Sequence, residues 1–244
     1  LVSLLHPDRL LDLIRNFIIY DNNGKKICRY KQYFAVKKCM KRILLQDGAD
    51  TRNGVVWHTQ GSGKTITMIM LTKMIIRESM KPGSSIKRPR FVMVTDRINL
   101  DKQIRDNFIH TQMSPHRAKT GKRLIELLKE DGNTVITALV NKFEAAVKQE
   151  YCNNSENIFV FIDEGHRTQY GKLNIYMNRV LPNAVKIAFT GTPLMQKKPK
   201  DDKREGMSAK DTDSKFGPRI DKYTLQDAID DNVNVHILYE GHVI

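Results

Sequence analysis

The spacing of apolar residues changes near residue 54, and this change divides the chain into two parts. Before it, residues 7–19 and 25–42 carry apolar side chains at helical spacing, which predicts two amphipathic helices joined by a turn. The second of these stretches contains eight Lys or Arg residues and no acid, so one face of its helix is basic. The chain is thus predicted to begin with a short helical segment.

After residue 54, short apolar runs alternate with longer stretches of helical periodicity. The predicted strands are residues 55–57, 91–94, 135–139, 158–162 and 185–189. The predicted helices are residues 64–78, 98–108, 121–130, 141–149 and 172–181. Strands that alternate with helices indicate a parallel sheet that is covered on both faces. We therefore predict an α/β fold.

The C-terminal part of the chain has a different texture. Residues 196–215 contain almost no side chain that a core could use, which predicts a flexible polar linker. Periodicity then returns, with a predicted short helix near 224–231 and a strand near 233–239. The expected division of the chain is a helical segment at 1–50, an α/β lobe at 51–195, the linker at 196–215 and a connecting segment at 216–244.

Composition narrows the possible partners and surroundings. The formal net charge of +14 and the pI near 9.7 favour a polyanionic partner, either nucleic acid or an anionic membrane surface. The longest apolar run, residues 66–76, is far shorter than the ~20 residues of a membrane span. The three cysteines form no Cys-x-x-Cys pair, so a cytoplasmic setting is expected. The chain begins at Leu1 without a leader, and we expect it to be a piece of a longer protein.

The stretch HTQGSGKT, residues 58–65, has the arrangement of a phosphate-binding loop. It follows a predicted strand and opens a predicted helix, whose N-terminus favours negative charge. Glycines are needed where a side chain would collide with phosphate, Lys64 can reach the β- and γ-phosphates, and the Thr65 hydroxyl can bind Mg²⁺. The predicted nucleotide-binding residues of the loop are Gln60, Gly61, Ser62, Gly63, Lys64 and Thr65.

His58 is the one residue of this stretch that departs from the usual pattern G-x-x-x-x-G-K-[ST], because it occupies the position of the first glycine. That position shapes the exit from the strand, and HTQGSGKT resembles the helicase-type pattern A-x-x-G-x-G-K-T, in which this residue is often not glycine. A histidine there is therefore compatible with nucleotide binding.

Two carboxylates follow the apolar strand in IFVFIDEGH, residues 158–166. In an open α/β sheet the ligand lies at the carboxyl ends of the strands, which is where Asp163 and Glu164 fall. Asp163 is predicted to hold Mg²⁺, mostly through water, and Glu164 to polarise the water that attacks the γ-phosphate. Two solvated acids at a strand end are the alternative interpretation.

The ordered motifs resemble one family. Together, WHTQGSGKT, VTDRINLDKQI, DEGHRTQYG and FTGTPL resemble the motor region of the restriction (R) subunit of type I restriction-modification enzymes, which are superfamily 2 motors. The flanking stretches PDRLLDLIRNF, RYKQYFAV and FGPRIDKYTLQDAI resemble that family too, so the likeness covers nearly the whole chain. It departs from the family pattern at Gly165, in place of alanine, and in the insert at 196–215.

The resemblance implies a P-loop NTPase with a RecA-like lobe, the first of two, that uses ATP and Mg²⁺. The family couples ATP hydrolysis to pulling double-stranded DNA, cuts the DNA with a separate nuclease domain, and works with modification and specificity subunits. An arginine for the γ-phosphate comes from the second lobe, so the isolated 244 residues are expected to be weakly active. No membrane partner is implied.

The resemblance also suggests roles for residues outside the two main motifs. Gln32 resembles the adenine-reading glutamine of these motors, with an exposed helical glutamine as the alternative. Thr95 and Arg97 are predicted to contact the DNA backbone, with ordinary polar surface residues as the rival interpretation.

Thr190 and Thr192 are predicted to link nucleotide state to the DNA track, with a plain strand-to-turn role as the rival interpretation. His166 is predicted to bridge the two sites, with a solvated loop histidine as the alternative.

Two other functions remain open from the sequence. The chain could be the motor lobe of another superfamily 2 helicase or of a type III restriction subunit. A rival of another class is a non-catalytic nucleic-acid-binding scaffold that keeps the loop for folding only. The presence of Lys64, Thr65, Asp163 and Glu164 argues against the scaffold.

Overall fold

A seven-stranded, fully parallel sheet is the centre of the molecule. The computed structural model describes residues 5–21, 24–45, 48–130, 132–163, 170–192 and 216–235. The strands are β3 (Gly54–His58), β4 (Arg90–Thr95), β5 (His116–Ala118), β6 (Val135–Leu139), β7 (Ile158–Asp163), β8 (Val185–Thr190) and β9 (Arg219–Tyr223). Their spatial order is β5-β6-β4-β7-β8-β3-β9. A separate antiparallel hairpin near the N-terminus is formed by β1 (Ile18–Asp21) and β2 (Gly24–Ile27).

Helices cover both faces of the sheet and bury two apolar clusters. The helices are α1 (Pro7–Asn16), α2 (Tyr30–Ile43), α3 (Ala49–Arg52), α4 (Lys64–Ser79), α5 (Ile98–His110), α6 (Gly121–Lys129), α7 (Asn141–Val147), α8 (Tyr170–Val180) and α9 (Leu225–Asp230). One cluster includes residues of α1, α2, α4 and α5, and the other includes residues of α6, α7 and α8. Val55 and Val56 are both fully buried but belong to different clusters, as successive strand side chains must. This two-sided burial explains why the strands of the sheet are predominantly apolar. The predicted α/β fold is confirmed.

The N-terminal segment differs from its prediction. The first helix ends at Asn16 rather than residue 19, and the second begins at Tyr30 rather than residue 25, because a hairpin occupies residues 18–27. Phe17 and Ile19 are buried in the core while Tyr20 is exposed, so a period of two competes here with the helical spacing. The structure also has α2 in the same core as the lobe, packed on α4.

Besides the two strands of the hairpin, two strands of the central sheet were not predicted. Strand β5 is three residues long, and His116 is exposed, so its sequence carries no apolar run. Strand β9 alternates exposed Arg219 and Lys222 with buried Asp221 and Tyr223, and it pairs in parallel with β3. The sheet therefore extends past residue 195, the expected end of the lobe.

Of the other predictions for the C-terminal part, one helix is confirmed and the start of one strand is wrong. The predicted helix near 224–231 is α9, which begins with a capping box between Thr224 and Asp227. Residues 233–235 are not in a strand, and the rest of the strand predicted to residue 239 lies outside the described residues, as does the linker at 196–215. Among the described helices, none has the length and apolar character required to cross a membrane.

A buried polar cluster joins α2, β3 and β9. The imidazole Nε2 of His58 lies 2.7 Å from Asp221 Oδ2, and the Lys38 ammonium lies 2.6 Å from Asp221 Oδ1. His58 is fully buried and Asp221 nearly so, whereas the Lys38 side chain is half exposed. Burial alone would raise the pKa of Asp221, but the hydrogen bonds from His58 and Lys38 outweigh it and lower that pKa.

The lowered pKa of Asp221 predicts a pH-dependent contribution to stability. A carboxylate with a depressed folded-state pKa stabilises the fold above its unfolded pKa of about 3.9, and this stabilisation is lost as the pH falls through the folded value. Asp221→Asn should lower the free energy of unfolding by about 2 kcal/mol at about pH 7, since one partner of a buried pair is neutralised. Urea denaturation should show a smaller difference from wild type at about pH 3.5. A difference independent of pH would contradict this assignment.

A candidate nucleotide-binding site at the carboxyl edge of the sheet

The loop between β3 and α4 has the backbone of a phosphate-binding loop. Gly61 and Gly63 both adopt φ of +81°, a left-handed conformation that glycine enters without strain. Gly63 is the N-cap of α4, a helix of 16 residues, so free N–H groups of its first turn face the loop. The side chain of Ser62 is buried, and its hydroxyl donates to the carbonyl oxygen of Thr59 at 2.6 Å, which closes the loop into a turn.

Lys64, the first residue of α4, turns its ammonium back to the loop. The Lys64 Nζ atom lies 3.4 Å from the carbonyl oxygen of His58 and 3.5 Å from that of Thr59. These are long contacts to neutral oxygens, and a phosphate bound in the loop would offer charged acceptors at shorter range. Lys64 is therefore already on the side of the loop where its predicted role requires it.

Gln32 packs against the loop from α2, which removes the alternative of an exposed helical glutamine. Its side chain is 4% exposed, and its amide Nε2 donates to the carbonyl oxygens of Ser62 and Gly63 at 3.3 and 3.2 Å. Its Oε1 accepts the backbone N–H of Arg29 at 2.8 Å, which caps the start of α2. A Cβ at Gly63 would lie 2.5 Å from Gln32 Nε2, so the contact needs this glycine. Reading adenine would require Gln32 to exchange these bonds, and that role stays a prediction.

Two cavities adjoin the loop on different sides. A cavity of about 370 Å³ is lined by Gln32, Ser62, Tyr30, Tyr223 and Asp231, among others. A second cavity of about 530 Å³ is lined by residues 59–61 of the loop and by Gly191, Thr192, Leu225 and Asn234. A ligand held by the loop could therefore extend into both spaces, as a nucleotide with a base at one end and a terminal phosphate at the other would require.

Asp163 ends β7 at the same edge of the sheet. Strand β8 lies between β7 and β3, and it pairs Phe189 with Asp163 on one side and Thr190 with Trp57 on the other. Two strand spacings, about 10 Å, therefore separate β7 from the strand that leads into the loop. Asp163 is 8% exposed. Glu164 and His166 lie outside the described residues.

The turn after β8 touches the loop directly. A Cβ at Gly191 would lie 3.2 Å from the backbone nitrogen of Gln60, and the indole Nε1 of Trp57 donates to the Gly191 carbonyl oxygen at 3.1 Å. Thr190 is fully buried, and its hydroxyl accepts the backbone N–H of Thr192 at 3.2 Å. The structure thus brings Thr190 and Thr192 next to the loop. Their predicted role, which is to link the nucleotide site to the DNA site, requires this proximity.

Thr95 and Arg97, the two candidate DNA-contacting residues at the end of β4, differ in exposure. Thr95 is 1% exposed, and its hydroxyl donates to the Arg97 carbonyl oxygen at 3.4 Å. The Arg97 side chain is 60% exposed at the N-cap of α5. Arg97 can therefore meet a phosphate, whereas the Thr95 hydroxyl is turned inward.

Sequence reasoning missed a cationic cleft beside α5. A cavity of about 250 Å³ is lined by Arg117, Lys119 and Lys142, together with Asp101. Asp101 is 1% exposed, and its Oδ2 lies 2.8 Å from the Nε of Arg117, which orients the guanidinium. The unpredicted strand β5 brings Arg117 and Lys119 to the carboxyl end of β6, where Lys142 follows. No local pattern could have shown this grouping.

Comparison with known proteins identifies the family. The family model described as the SWI2/SNF2 ATPase matches residues 31–244. The HindI type I restriction enzyme endonuclease subunit of Haemophilus influenzae is 32% identical over 98% of this chain. The MjaIXP type I restriction enzyme endonuclease subunit of Methanocaldococcus jannaschii is 31% identical over 100% of it. The chain spans 24% and 23% of the lengths of these two relatives.

A solved structure shows the same fold. The nuclease-deletion mutant of the Type ISP restriction-modification enzyme LlaGI, in complex with a DNA substrate mimic, superposes with a TM-score of 0.59 and 15% identity. The match covers 85% of this chain and 21% of that one. With the phosphate loop and the parallel sheet already described, the chain belongs to the SWI2/SNF2 ATPase family as a RecA-like motor lobe, with type I restriction enzyme endonuclease subunits among its relatives.

Proposed function

We propose that this lobe binds Mg·ATP and hydrolyses its γ-phosphate to drive the movement of double-stranded DNA. The observation that carries the proposal is the loop at residues 59–63, with Lys64 turned into it, at the sheet edge that also holds Asp163. In the parent protein, movement of DNA precedes cleavage by a separate nuclease domain, in a complex with modification and specificity subunits. We propose that this reaction takes place in the cytoplasm.

Each residue of the site has a separate role in binding or hydrolysing Mg·ATP. The N–H groups of the loop and of the first turn of α4 bind the phosphates, and Lys64 offers a positive charge toward the β- and γ-phosphates. Thr65 and Asp163 would hold Mg²⁺, which neutralises charge on the phosphates when bound. Glu164 orients the water and accepts its proton. Gln32 reads the base in the smaller cavity, where it exchanges its bonds to Ser62 and Gly63 for bonds to adenine.

Contact with DNA is assigned to the cations along the same edge. Arg97 and the cationic cleft of Arg117, Lys119 and Lys142 offer positive charge, which contacts phosphates and carries no sequence information. Thr190 and Thr192, at the end of β8, lie between these cations and the loop and are proposed to transmit nucleotide state. A second lobe supplies the arginine that stabilises the γ-phosphate, so the 244 residues alone should turn over slowly.

Removal of the Lys64 ammonium should abolish Mg·ATP binding. Lys64→Ala leaves the loop backbone in place but removes the positive charge that meets the β- and γ-phosphates. Calorimetric titration with Mg·ATP should detect binding by wild type and by the control Lys81→Ala, which removes an exposed lysine just beyond α4. Equal affinity of wild type and Lys64→Ala would refute the assignment of the loop and favour the scaffold function.

Loss of the Glu164 carboxylate should uncouple binding from hydrolysis. In the full-length protein, Glu164→Gln should bind Mg·ATP normally and hydrolyse it at least about a hundredfold more slowly, the usual scale for removing a general base. Phosphate release in the presence of linear duplex DNA measures this. If DNA-stimulated turnover is unchanged, another residue is the base.

DNA binding should be indifferent to sequence and steeply dependent on salt. Each phosphate contact lowers log K by about 0.9 per tenfold rise in salt, and Arg117→Ala should reduce that slope by about one contact. The matched control is Arg179→Ala, since Arg179 is exposed in the last turn of α8, at the opposite edge of the sheet. Fluorescence anisotropy with two unrelated duplexes tests both points. Sequence preference that survives high salt would overturn this model of DNA contact.

A further inference from the structure

The first fixed point of the phosphate loop is its junction with β3. His58 occupies the usual glycine position with a fully buried side chain, and its Nε2 lies 2.7 Å from Asp221 on β9. The next residue, Thr59, donates its backbone N–H to the carbonyl oxygen of Tyr223 at 2.9 Å. Strand β9 therefore holds the exit from β3 through one side chain and one backbone bond.

The second fixed point is the tip of the loop. Asn234 Nδ2 donates to the carbonyl oxygen of Gln60 at 3.2 Å, and a Cβ at Gly61 would lie 3.0 Å from Asn234 Oδ1. Asn234 reaches this position because the chain after α9 folds back, with the backbone nitrogens of Val233 and Asn234 donating to the carbonyl oxygen of Ala228. Ala228 is fully buried, so this turn is anchored in the core.

A cross-link fastens the same segment to α2. Asp231 Oδ2 accepts the hydroxyl of Tyr223 at 2.9 Å and the hydroxyl of Tyr30 at 2.6 Å. Tyr30 opens the helix that also carries Gln32, which contacts the loop from a third direction. Residues 219–235, hereafter the bracket, thus contact both ends of residues 58–61 and are tied to the helix on the other side of the loop.

We propose that the bracket sets the conformation of the phosphate loop for nucleotide binding, with Asp221 and Asn234 as positioning residues that act through His58 and Gln60. This inference rests on the proposed function, because the loop is taken to bind Mg·ATP. A loop with two glycines has many conformations available, and restricting each residue in advance reduces the conformational entropy lost on binding. At position 58 a histidine has less backbone conformational freedom than a glycine, and its side chain is held by Asp221 of β9.

The loop itself can be observed without nucleotide. Hydrogen exchange of the backbone amides of residues 59–63 should be roughly tenfold faster in Asp221→Asn and several-fold faster in Asn234→Ala, since each variant removes one fixed point. His58→Gln keeps a side-chain N–H donor and should exchange more slowly than His58→Ala. Trp57 is the sole tryptophan of the chain and adjoins the loop, so its fluorescence reports the same loosening.

The matched control is Asp12→Asn. Like Asp221, Asp12 is a carboxylate that pairs with a lysine of α2, Lys37 at 3.0 Å, but it is only partly buried, lies on α1 and does not contact the loop. It should lower stability without changing loop exchange. All variants are compared at a temperature at which each is fully folded.

Titration with Mg·ATP then separates this inference from the proposed function. We expect affinity roughly tenfold weaker in Asp221→Asn and unchanged in Asp12→Asn. Unchanged loop exchange in Asp221→Asn and Asn234→Ala would overturn the inference whether or not the protein binds nucleotide. Faster exchange with unaltered affinity would also overturn it, because the positioning would then not serve binding. If wild type fails to bind Mg·ATP while the variants loosen the loop, the proposed function fails and the positioning of the loop stands.

Discussion

Burial of the sheet on both faces limits where polar chemistry can lie in this molecule. Strands β7 and β8 are buried along their whole length, and β3 nearly so, because helices cover each side. A polar group on such a strand must be paired internally or sit at a strand end. Since all seven strands are parallel, their carboxyl ends share one edge, and there the loop, Asp163 and the turn after β8 meet.

Those features that follow from local spacing were predictable from the sequence. The loop of Gly61, Gly63 and Lys64 is specified by residues next to one another. The apolar runs of β4 and β7 are continuous, and those of β6 and β8 are each interrupted by one polar residue. The end of helix α1 was predicted at residue 19 instead of Asn16 because Phe17 and Ile18 fit a helical spacing and a strand equally well. Strand β9 was missed because three of its five residues are charged, and the partners of its buried Asp221 come from two distant segments.

His58 illustrates what a motif pattern leaves out. By pattern it is a tolerated departure from glycine, and nothing in its neighbours along the chain gives it a partner. The fold supplies one in Asp221, which is 163 residues away and itself shared with Lys38. The buried imidazole has a polar partner in the buried Asp221 carboxylate, and the half-exposed Lys38 neutralises the charge of that carboxylate. The same holds for Gln32, whose two amide ends are engaged by the loop and by its own helix.

The order of strands also bears on how the protein is made. Strand β3 is synthesised before both of its neighbours, β8 and β9, which come from residues 185–190 and 219–223. A nascent chain on the ribosome therefore carries residues 54–65 for a long time before either flanking strand exists. Pairing across such sequence separations is slow, because a long loop must close before any contact forms. The strands on both sides of the proposed nucleotide site are thus completed late, and a chain truncated before residue 219 would present its glycine-rich segment without the strand on one of its two sides.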